Sequence, residues 1–443
     1  MNEIFIYTPK ITPRISYIFD LIFNQFLGIT KVSITSDLYA FSQTTNTAKI
    51  NYSRSFITDI PHFFPSQLLL ETGIHQLNPT FKKQDALMAA FFHVPAPNNQ
   101  NTSFPFDPFA LAFYLVSRYE EYLDFPADKF GRFSASNSQA YQNNFLQQPL
   151  VNLWALRIKE LLEKKYPKLQ FDCPKYQYTP SYDIDHAYAF LHKGWLRQSA
   201  SFGKNVAKLD LETLSLQLKT WFRLQKDPYD TFKYLETLDR KYQLKPIYFW
   251  LLGDYGTYDK NIHYNNRHFQ QLIQTNVQKY PIGIHPSFGS NQNQDIVDKE
   301  IHRLEKITRQ SIKKSRQHFL ILKLPETYQR LVNLGIQEDY SMGYAQHLGF
   351  RASIATPFYW YNLETEKKTE LQIFPFQLMD VTFNTYLKRS PKDVLEEARP
   401  VIQNTKAVGG HLISIWHNSS LCEAWQWKNW RTAYETLIEI AVL

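Results

Sequence analysis

Ser181-Tyr182-Asp183-Ile184-Asp185-His186 is the stretch on which the fold prediction depends. The preceding Gln177-Tyr178-Thr179-Pro180 is β-prone, so we expect a strand that runs into a loop. Side chains on a strand alternate between faces, and Asp183 and Asp185 should therefore point the same way. Adjacent carboxylates repel each other unless a cation lies beside them. The motif predicts a divalent-metal and acid–base site, although Asp-x-Asp also occurs in solvated turns.

The composition is that of a globular protein with an unusual number of aromatic residues. The chain has 443 residues, enough for two or three domains, and contains 28 Tyr, 33 Phe and 9 Trp. Its 49 Lys and Arg against 41 Asp and Glu give a net charge of +8, which suits an anionic glycan, a membrane surface or nucleic acid and selects none of them. The densest basic run, Lys313-Lys314-Ser315-Arg316, is too short to indicate nucleic-acid binding.

The number of cysteines and the hydropathy pattern exclude several classes of protein. Cys173 and Cys422 are the only cysteines, which excludes a disulfide framework and a thiolate zinc site, so His, Asp or Glu must hold any metal. No apolar run approaches the roughly 18 residues of a transmembrane helix. Asp20 and Asn24 interrupt the apolar segment near the N-terminus, so we expect no signal peptide. We predict a cytoplasmic protein and leave peripheral membrane contact and the oligomeric state open.

Residues 1–170 are predicted to form a small α/β domain that precedes a second domain at 171–443. Asp107 should cap a helix that Pro108 opens, and Arg118, Glu120 and Glu121 near its end are interpreted as a structural ion-pair cluster. The polar segment 166–175 is the predicted boundary. The other predicted elements are strands at 4–7, 31–34 and 48–52, helices at 13–27 and 149–165, and a loop at 96–101.

From residue 178 onwards, strand and helix patterns alternate, which is typical of a parallel α/β sheet or barrel. The predicted strands are 178–184, 246–253, 282–286, 319–322, 350–352, 371–374 and 411–416. The predicted helices are 195–224 (a long insertion), 227–242, 266–280, 296–307, 325–334, 391–403 and 423–441.

Polar side chains of the kind that bind metals or move protons recur at the ends of these strands. Chemistry in such barrels sits at the C-terminal ends of the strands. The residues are Asp183, Asp185, His285, Arg316, His318, Asp380 and His417. The signal is collective, because connecting loops would not be expected to supply acid, imidazole and guanidinium groups at matching positions.

These segments resemble motifs of the polysaccharide deacetylases, the NodB-homology domain of carbohydrate esterase family 4. The resemblance covers about 176–443 and predicts a distorted (β/α) barrel of that type, preceded by the smaller α/β domain. The N-terminal part is similar to an uncharacterised domain that precedes such deacetylases in some bacterial proteins. The motifs are Ser181–His186, Lys245–Leu251, Ile282–Phe288, Ser315–His318, Gly335–Tyr344 with Gly349–Ala352, and Leu412–Asn418, together with Ser117–Tyr122 and Gly131–Phe133 in the N-terminal part.

The resemblance implies a metal-dependent hydrolase that removes an N-acetyl group from a sugar in a polysaccharide or glycan precursor, with zinc as the expected ion. Asp185 and His285 would bind the metal, Asp183 would act as the base and His417 as the acid. Arg316 or Asp380 would orient the base or the acid. Leu412 and Trp416 would line the pocket that receives the acetyl methyl group.

The chain departs from the family pattern at one metal ligand. Gly289 occupies the place of the second histidine, four residues after His285, and three protein ligands are the norm for catalytic zinc. His318 or His186 could supply the missing nitrogen, and we favour His318. The inserted Ile184 leaves open which aspartate takes which role.

Two other functions remain open at this stage. The missing histidine motivates a catalytically inactive, glycan-binding or scaffolding protein that kept the barrel. A glycosyltransferase or phosphatase with a metal-binding Asp-Ile-Asp ranks lower. Ala187 stands where a haloacid-dehalogenase-type phosphatase needs Thr or Val, and a sugar transferase would not account for His285 and His417.

Overall fold

The computed structural model describes residues 2–93, 102–291 and 293–443, so the loop predicted at 96–101 lies outside the described residues. The N-terminal sheet has four parallel strands in the order β2-β1-β3-β4, and a separate hairpin joins β5 to β6. The strands are β1 Glu3–Tyr7, β2 Lys31–Thr35, β3 Ala48–Tyr52, β4 His62–Phe63, β5 Lys82–Gln84 and β6 Leu87–Ala89. The helices are α1 Pro13–Phe19, α2 Leu38–Gln43, α3 Pro108–Val116, α4 Gln139–Gln142 and α5 Leu150–Lys165.

Most local predictions for this part are confirmed. Helix α1 continues as a π-helix over Asp20–Phe26, which accounts for the long amphipathic segment. Asp107 caps α3, because its carboxylate accepts the N–H groups of Phe109 and Ala110 at 3.0 and 3.1 Å. Pro108 opens the helix, and all nine helical residues are buried. Helix α3 is therefore a core helix.

The main sheet has nine strands in the order β12-β13-β11-β10-β9-β8-β7-β15-β14, and all neighbours except β12 and β13 are parallel. Its strands are β7 Gln177–Ile184, β8 Ile247–Trp250, β9 Ile282–Ile284, β10 Lys314–Ser315, β11 Glu338–Asp339, β12 Phe358–Asn362, β13 Lys367–Ile373, β14 Leu378–Met379 and β15 His411–His417. Among the described residues no ladder joins β12 to β14, so closure into a barrel remains a prediction.

Within the described residues eight α-helices accompany the main sheet, and several begin or end differently from the prediction. They are α6 Trp195–Ala207, α7 Leu211–Trp221, α8 Phe232–Tyr242, α9 Arg267–Val277, α10 Gln294–Thr308, α11 Glu326–Asn333, α12 Val394–Ala407 and α13 Trp430–Val442. The predicted insertion is two helices. Helix α8 begins at Phe232 rather than 227, because the Asp227 carboxylate accepts the N–H groups of Ala189, Phe190 and Leu191 instead of capping a helix.

Two predicted strands are wrong. Residues 319–322 do not form a strand, because Phe319 and Leu320 have φ values of 59° and 53°, and the strand of this segment is the preceding β10. Residues 350–352 form a turn rather than a strand. The short strands β11 and β14 and the antiparallel strand β12 were not predicted.

The two faces of the main sheet carry separate apolar clusters. Ile247 and Phe249 of β8 belong to the smaller cluster on one face, whereas Tyr248 and Trp250 belong to the larger one on the other. This is the alternation expected of a strand. The larger cluster also contains Ile4 and Phe109, so the N-terminal sheet and the main sheet share one core.

No helix within the described residues is both long and apolar enough to cross a bilayer.

Candidate metal centre

Side chains at the C-terminal ends of five parallel strands meet around one cavity. Asp183 on β7 stands beside His417 on β15, its partner in the ladder. Asp185 is the first residue after β7, and His285 is the first after β9. Arg316 and His318 follow the strand β10, whereas the prediction placed them before a strand. Asp380 directly follows β14. Asp183, Asp185, His285, His318 and His417 line a cavity of about 170 Å³.

Three of these side chains present ligand atoms to a common point. The ligand atoms of Asp185, His285 and His318 all lie within 4.8 Å of one another. His285 Nε2 is 3.3 Å from Asp185 Oδ1, and His318 Nε2 is 3.5 Å from Asp185 Oδ2. Ligand atoms roughly 2.1 Å from one tetrahedral zinc ion are about 3.4 Å apart. The spacing fits a single divalent ion.

The partners of the two imidazole Nδ1 atoms decide which nitrogen faces the cavity. His285 Nδ1 lies 2.6 Å from the Arg316 carbonyl oxygen, which can only accept a hydrogen bond. His318 Nδ1 lies 2.9 Å from a carboxylate oxygen of Asp259. Both rings therefore carry their proton on Nδ1 when neutral, which leaves the Nε2 lone pair free to bind a metal.

The charge of Asp185 and the imidazoles around it also suits the binding of a cation. Asp185 Oδ1 is buried and lacks a hydrogen-bond partner, a costly arrangement unless an ion neutralises it. Burial alone would raise the pKa of Asp185, but His318, His285 and His417 outweigh it and hold that pKa well below its usual range. Burial likewise disfavours charged His318, yet Asp185 and Asp259 raise its pKa to about 9. Without a metal, the charged forms of His318 and His417 balance Asp185, and a metal bound to His318 would displace its Nε2 proton.

His318, and not His186, belongs to this group of ligand atoms. Burial lowers the pKa of His186 to about 4. Gly289, at the place of the expected histidine, donates its N–H at 3.0 Å to Asp259 Oδ2, and Asp259 in turn holds His318. The loop that carries Gly289 thus supports the third imidazole indirectly.

Asp183 is held by Arg316, which was predicted to orient the base or the acid. Arg316 Nη1 donates to Asp183 Oδ1 at 2.8 Å, and its Nε donates to the Tyr340 carbonyl at 3.0 Å. The guanidinium also lies over the Phe249 ring, 4.3 Å from its centroid. Arg316 is fully buried, so these contacts fix the direction of the Asp183 carboxylate.

His417 and Asp380 form a second oriented pair. Asp380 Oδ2 accepts the His417 backbone N–H at 2.8 Å, and the carboxylate lies 3.0 Å from His417 Nδ1. This leaves His417 Nε2 facing the cavity, 3.6 Å from Asp185 Oδ2. Burial opposes the charged imidazole, but Asp380 and Asp185 raise the pKa of His417 to about 10. A protonated His417 can donate a proton to a leaving group.

The apolar wall differs from the prediction. Leu412 and Trp416 belong to the larger core cluster, and Trp416 packs on Tyr434 of α13, because alternate residues of β15 face away from the cavity. The residues that line the cavity instead are Phe319, Leu320, Ala345, Met379 and Val381. Most of them lie on loops after β10, β11 and β14, and the sequence does not predict the path of these loops.

Asp259 and Arg132 are polar residues of the site that were not predicted, and Gln317 and Tyr386 also line the cavity without having been predicted. Asp259 lies in the loop after β8 without a recognisable motif. Arg132 reaches the cavity from the N-terminal part and donates at 2.8 Å to the Phe319 carbonyl, while Asp128 pairs with it at 2.8 Å. In the sequence analysis Gly131-Arg132-Phe133 belongs to the family resemblance, and no role in the site is predicted for Arg132.

Residues 4–167 match the model of a family of unknown function (DUF7033). The comparison with curated proteins gives no match.

Among solved structures, a Mycobacterium smegmatis protein assigned to the polysaccharide deacetylases is 14% identical, with 61% of this chain and 85% of that chain covered and a TM-score of 0.40. A polysaccharide deacetylase from Bacillus cereus is 12% identical, with 59% and 85% covered and a TM-score of 0.28. A mutant of a CE4-family pseudoenzyme with restored activity is 8% identical, with 60% and 63% covered and a TM-score of 0.27. These scores are low, so the fold assignment rests on the strands and helices themselves.

Proposed function

We propose that this protein is a metal-dependent hydrolase that removes an N-acyl group from a sugar. The observation that carries the proposal is the convergence of Asp185, His285 and His318, with the Asp183 carboxylate and the His417 imidazole on the same cavity. A metal triad flanked by an oriented carboxylate and an oriented imidazole provides what amide hydrolysis needs.

Each side chain of the cavity has a distinct part in the reaction. A divalent ion held by the three ligands would polarise the amide carbonyl and acidify a water molecule. Asp183, fixed by Arg316, accepts the proton of the attacking water. His417, fixed by Asp380, gives its Nε2 proton to the amine as the C–N bond breaks. Water and amide are thereby converted to a carboxylic acid and an amine, and exchange with solvent then removes the proton from Asp183 and returns one to His417.

The cavity and its rim suit an acetamido group on a sugar. A cavity of about 150 Å³ holds a benzene molecule, so the 170 Å³ available here accommodates the few heavy atoms of an acetamide but not an entire oligosaccharide. At the rim, Phe319 contacts Phe130 and Tyr258, with ring centroids 5.1 and 5.4 Å apart. Tyr258 is 44% exposed, which leaves aromatic surface for the sugar ring.

Metal content and acetate release test the proposal together. The purified chain, loaded with zinc and freed of excess metal, should hold one ion and release acetate from a member of a panel of N-acetylated oligosaccharides. Asp185→Asn should lose both metal and activity. Asp183→Asn and His417→Gln should retain the metal and lose activity by about 10²- to 10⁴-fold, the usual contribution of a general base or acid.

His302→Gln serves as the control, because His302 lies on the exposed face of α10 with a side chain that is 69% exposed. This variant should match the parent protein in both measurements. A chain that binds no metal, or an Asp185→Asn variant that keeps it, would contradict the assigned metal centre. Stoichiometric metal without acetate release from any sugar in the panel would instead favour the inactive, glycan-binding alternative.

A further inference from the structure

Helices α6 and α7, here called the α6–α7 pair, expose an unusual amount of apolar surface. Eight large hydrophobic side chains are at least 65% exposed among the described residues, and six of the eight lie in or beside this pair. The six are Trp195, Leu196, Leu209, Leu211, Phe222 and Leu224. Scattered exposed hydrophobics are ordinary, but a concentration within 30 residues indicates an interaction surface.

The apolar residues form a stripe on each helix. Trp195, Phe202 and Val206 follow the spacing i, i+7, i+11 on α6, and Leu211, Leu218 and Phe222 repeat it on and just after α7. This spacing keeps side chains on one helical face. Phe202 contacts Trp221, with ring centroids 5.5 Å apart, so the α6 stripe adjoins α7.

The pair is attached to the rest of the molecule by other faces. Gln217 and Thr220 of α7 are buried, and Thr213 Oγ1 accepts a hydrogen bond from Trp425 Nε1 at 2.8 Å. Arg197 of α6 donates to the Lys260 carbonyl at 2.9 Å. Helix α6 itself has no buried residue. Apart from Phe202, which packs on Trp221, the stripe residues therefore remain exposed although the helices are anchored.

The charge of the pair favours an anionic partner. Residues 195–226 contain six Lys or Arg and two acidic residues, a net charge of +4. Lys204, Lys208, Lys219, Arg223 and Lys226 are all exposed. Nearby, Lys193 and Arg197 line a cavity of about 590 Å³ at the base of α6. An amphipathic helix with about four to eight basic residues is typical of segments that bind anionic lipid surfaces.

We propose that the α6–α7 pair docks this protein onto the surface of an anionic phospholipid bilayer. The two stripes insert at the boundary between head groups and acyl chains, and the surrounding cations contact the phosphates. Arg197 of α6 donates to the carbonyl of Lys260, the neighbour of Asp259, which holds His318, so docking through the pair would place the loop after β8 near the membrane surface. The inference does not depend on the proposed function.

Vesicle co-sedimentation tests the docking. The full chain should sediment with vesicles of phosphatidylcholine containing about a third phosphatidylglycerol and not with pure phosphatidylcholine, and binding should weaken as salt screens the charges. Lys219→Gln with Arg223→Gln should lower the partition coefficient on the order of 20-fold, because each cation near an anionic surface contributes about fivefold. Trp195→Ser with Phe222→Ser should abolish binding.

Two double variants serve as controls that leave the pair intact. Lys82→Gln with Lys83→Gln removes two exposed cations elsewhere, and Leu38→Ser with Tyr39→Ser removes two exposed apolar side chains. Both should bind as the parent protein does, and thermal unfolding should show that all variants are folded. No binding to the anionic vesicles, or equal binding by stripe variants and controls, would overturn the proposal. So would a dimer in solution that the stripe variant converts to a monomer, since a second copy would then cover the stripes.

Discussion

The three imidazoles of the candidate site owe their orientation to different kinds of partner. A backbone carbonyl holds His285, whereas carboxylates hold His318 and His417. A carboxylate partner makes an imidazole more basic, so that it binds a metal more strongly or stays protonated as a general acid. A backbone carbonyl mainly fixes the orientation of the ring. Asp259 and Asp380 therefore support the proposed chemistry by holding the imidazoles that face the cavity.

Asp259→Asn should weaken zinc binding about 10- to 100-fold, the usual effect of removing a partner that supports a metal-bound histidine. The neutral amide can still contact His318 Nδ1 but no longer favours electron donation from Nε2. Competition with a chromophoric chelator measures the affinity. Asp254→Asn is the matched control, because Asp254 lies on the same loop, is 61% exposed and pairs with Arg303 at 2.7 Å. Equal affinities of both variants would show that Asp259 does not support the metal centre.

Among the elements, helix α8 carries a buried acidic residue outside the metal centre. Asp239 is only 5% exposed, and burial raises the pKa of its carboxyl to about 7. The ordinary value in an unfolded chain is about 3.9. The folded state therefore binds more protons between about pH 4 and 7, and this group's contribution to stability is lost as the pH rises through that window.

Asp239→Asn should raise the free energy of unfolding at pH 8 by at most about 4 kcal/mol, since each pKa unit corresponds to about 1.36 kcal/mol. The gain should disappear near pH 4, where the native carboxyl is already protonated. Urea denaturation of both proteins at several pH values measures this difference in the free energy of unfolding. Asp85→Asn, a change of an exposed aspartate, should show no such pH dependence. A gain that is the same at pH 4 and pH 8 would contradict the assigned titration.

At the scale of the whole molecule, the N-terminal part and the main sheet are joined by buried ion pairs as well as by a common apolar core. Glu121 accepts from Arg118 Nε at 2.8 Å and from Arg351 Nη2 at 2.6 Å, and all three side chains are at most 2% exposed. The cluster predicted near the end of α3 is thus completed by an arginine from the second half of the chain. Arg132, from the same N-terminal part, reaches the cavity itself.

Glu121→Ala should lower the free energy of unfolding by about 3–5 kcal/mol, because it leaves two buried guanidinium groups without their shared carboxylate. Equilibrium urea unfolding gives the value. Glu160→Ala removes the exposed ion pair with Arg157 on α5, where Glu160 is 59% exposed, and should cost less than about 1 kcal/mol. Similar losses in the two variants would mean that the buried cluster does not hold the two parts together.

The amino-acid sequence determined those features that depend on local periodicity. Alternating strands and helices, the Asp107 cap and the placing of Asp183, Asp185, His285 and His417 at strand ends follow from patterns within a few neighbouring residues. The division at about residue 170, barrel closure and the residue roles stay predictions.

Only the tertiary structure decided which side chains complete the centre. Asp259, Arg132 and the choice of His318 over His186 depend on where loops run after they leave the sheet, and a turn with positive φ at Phe319 directs that segment. Such paths are set by contacts between segments far apart in the chain, because loops carry no repeating pattern of burial. Local sequence therefore shows where strands end, and packing determines which loop residues meet there.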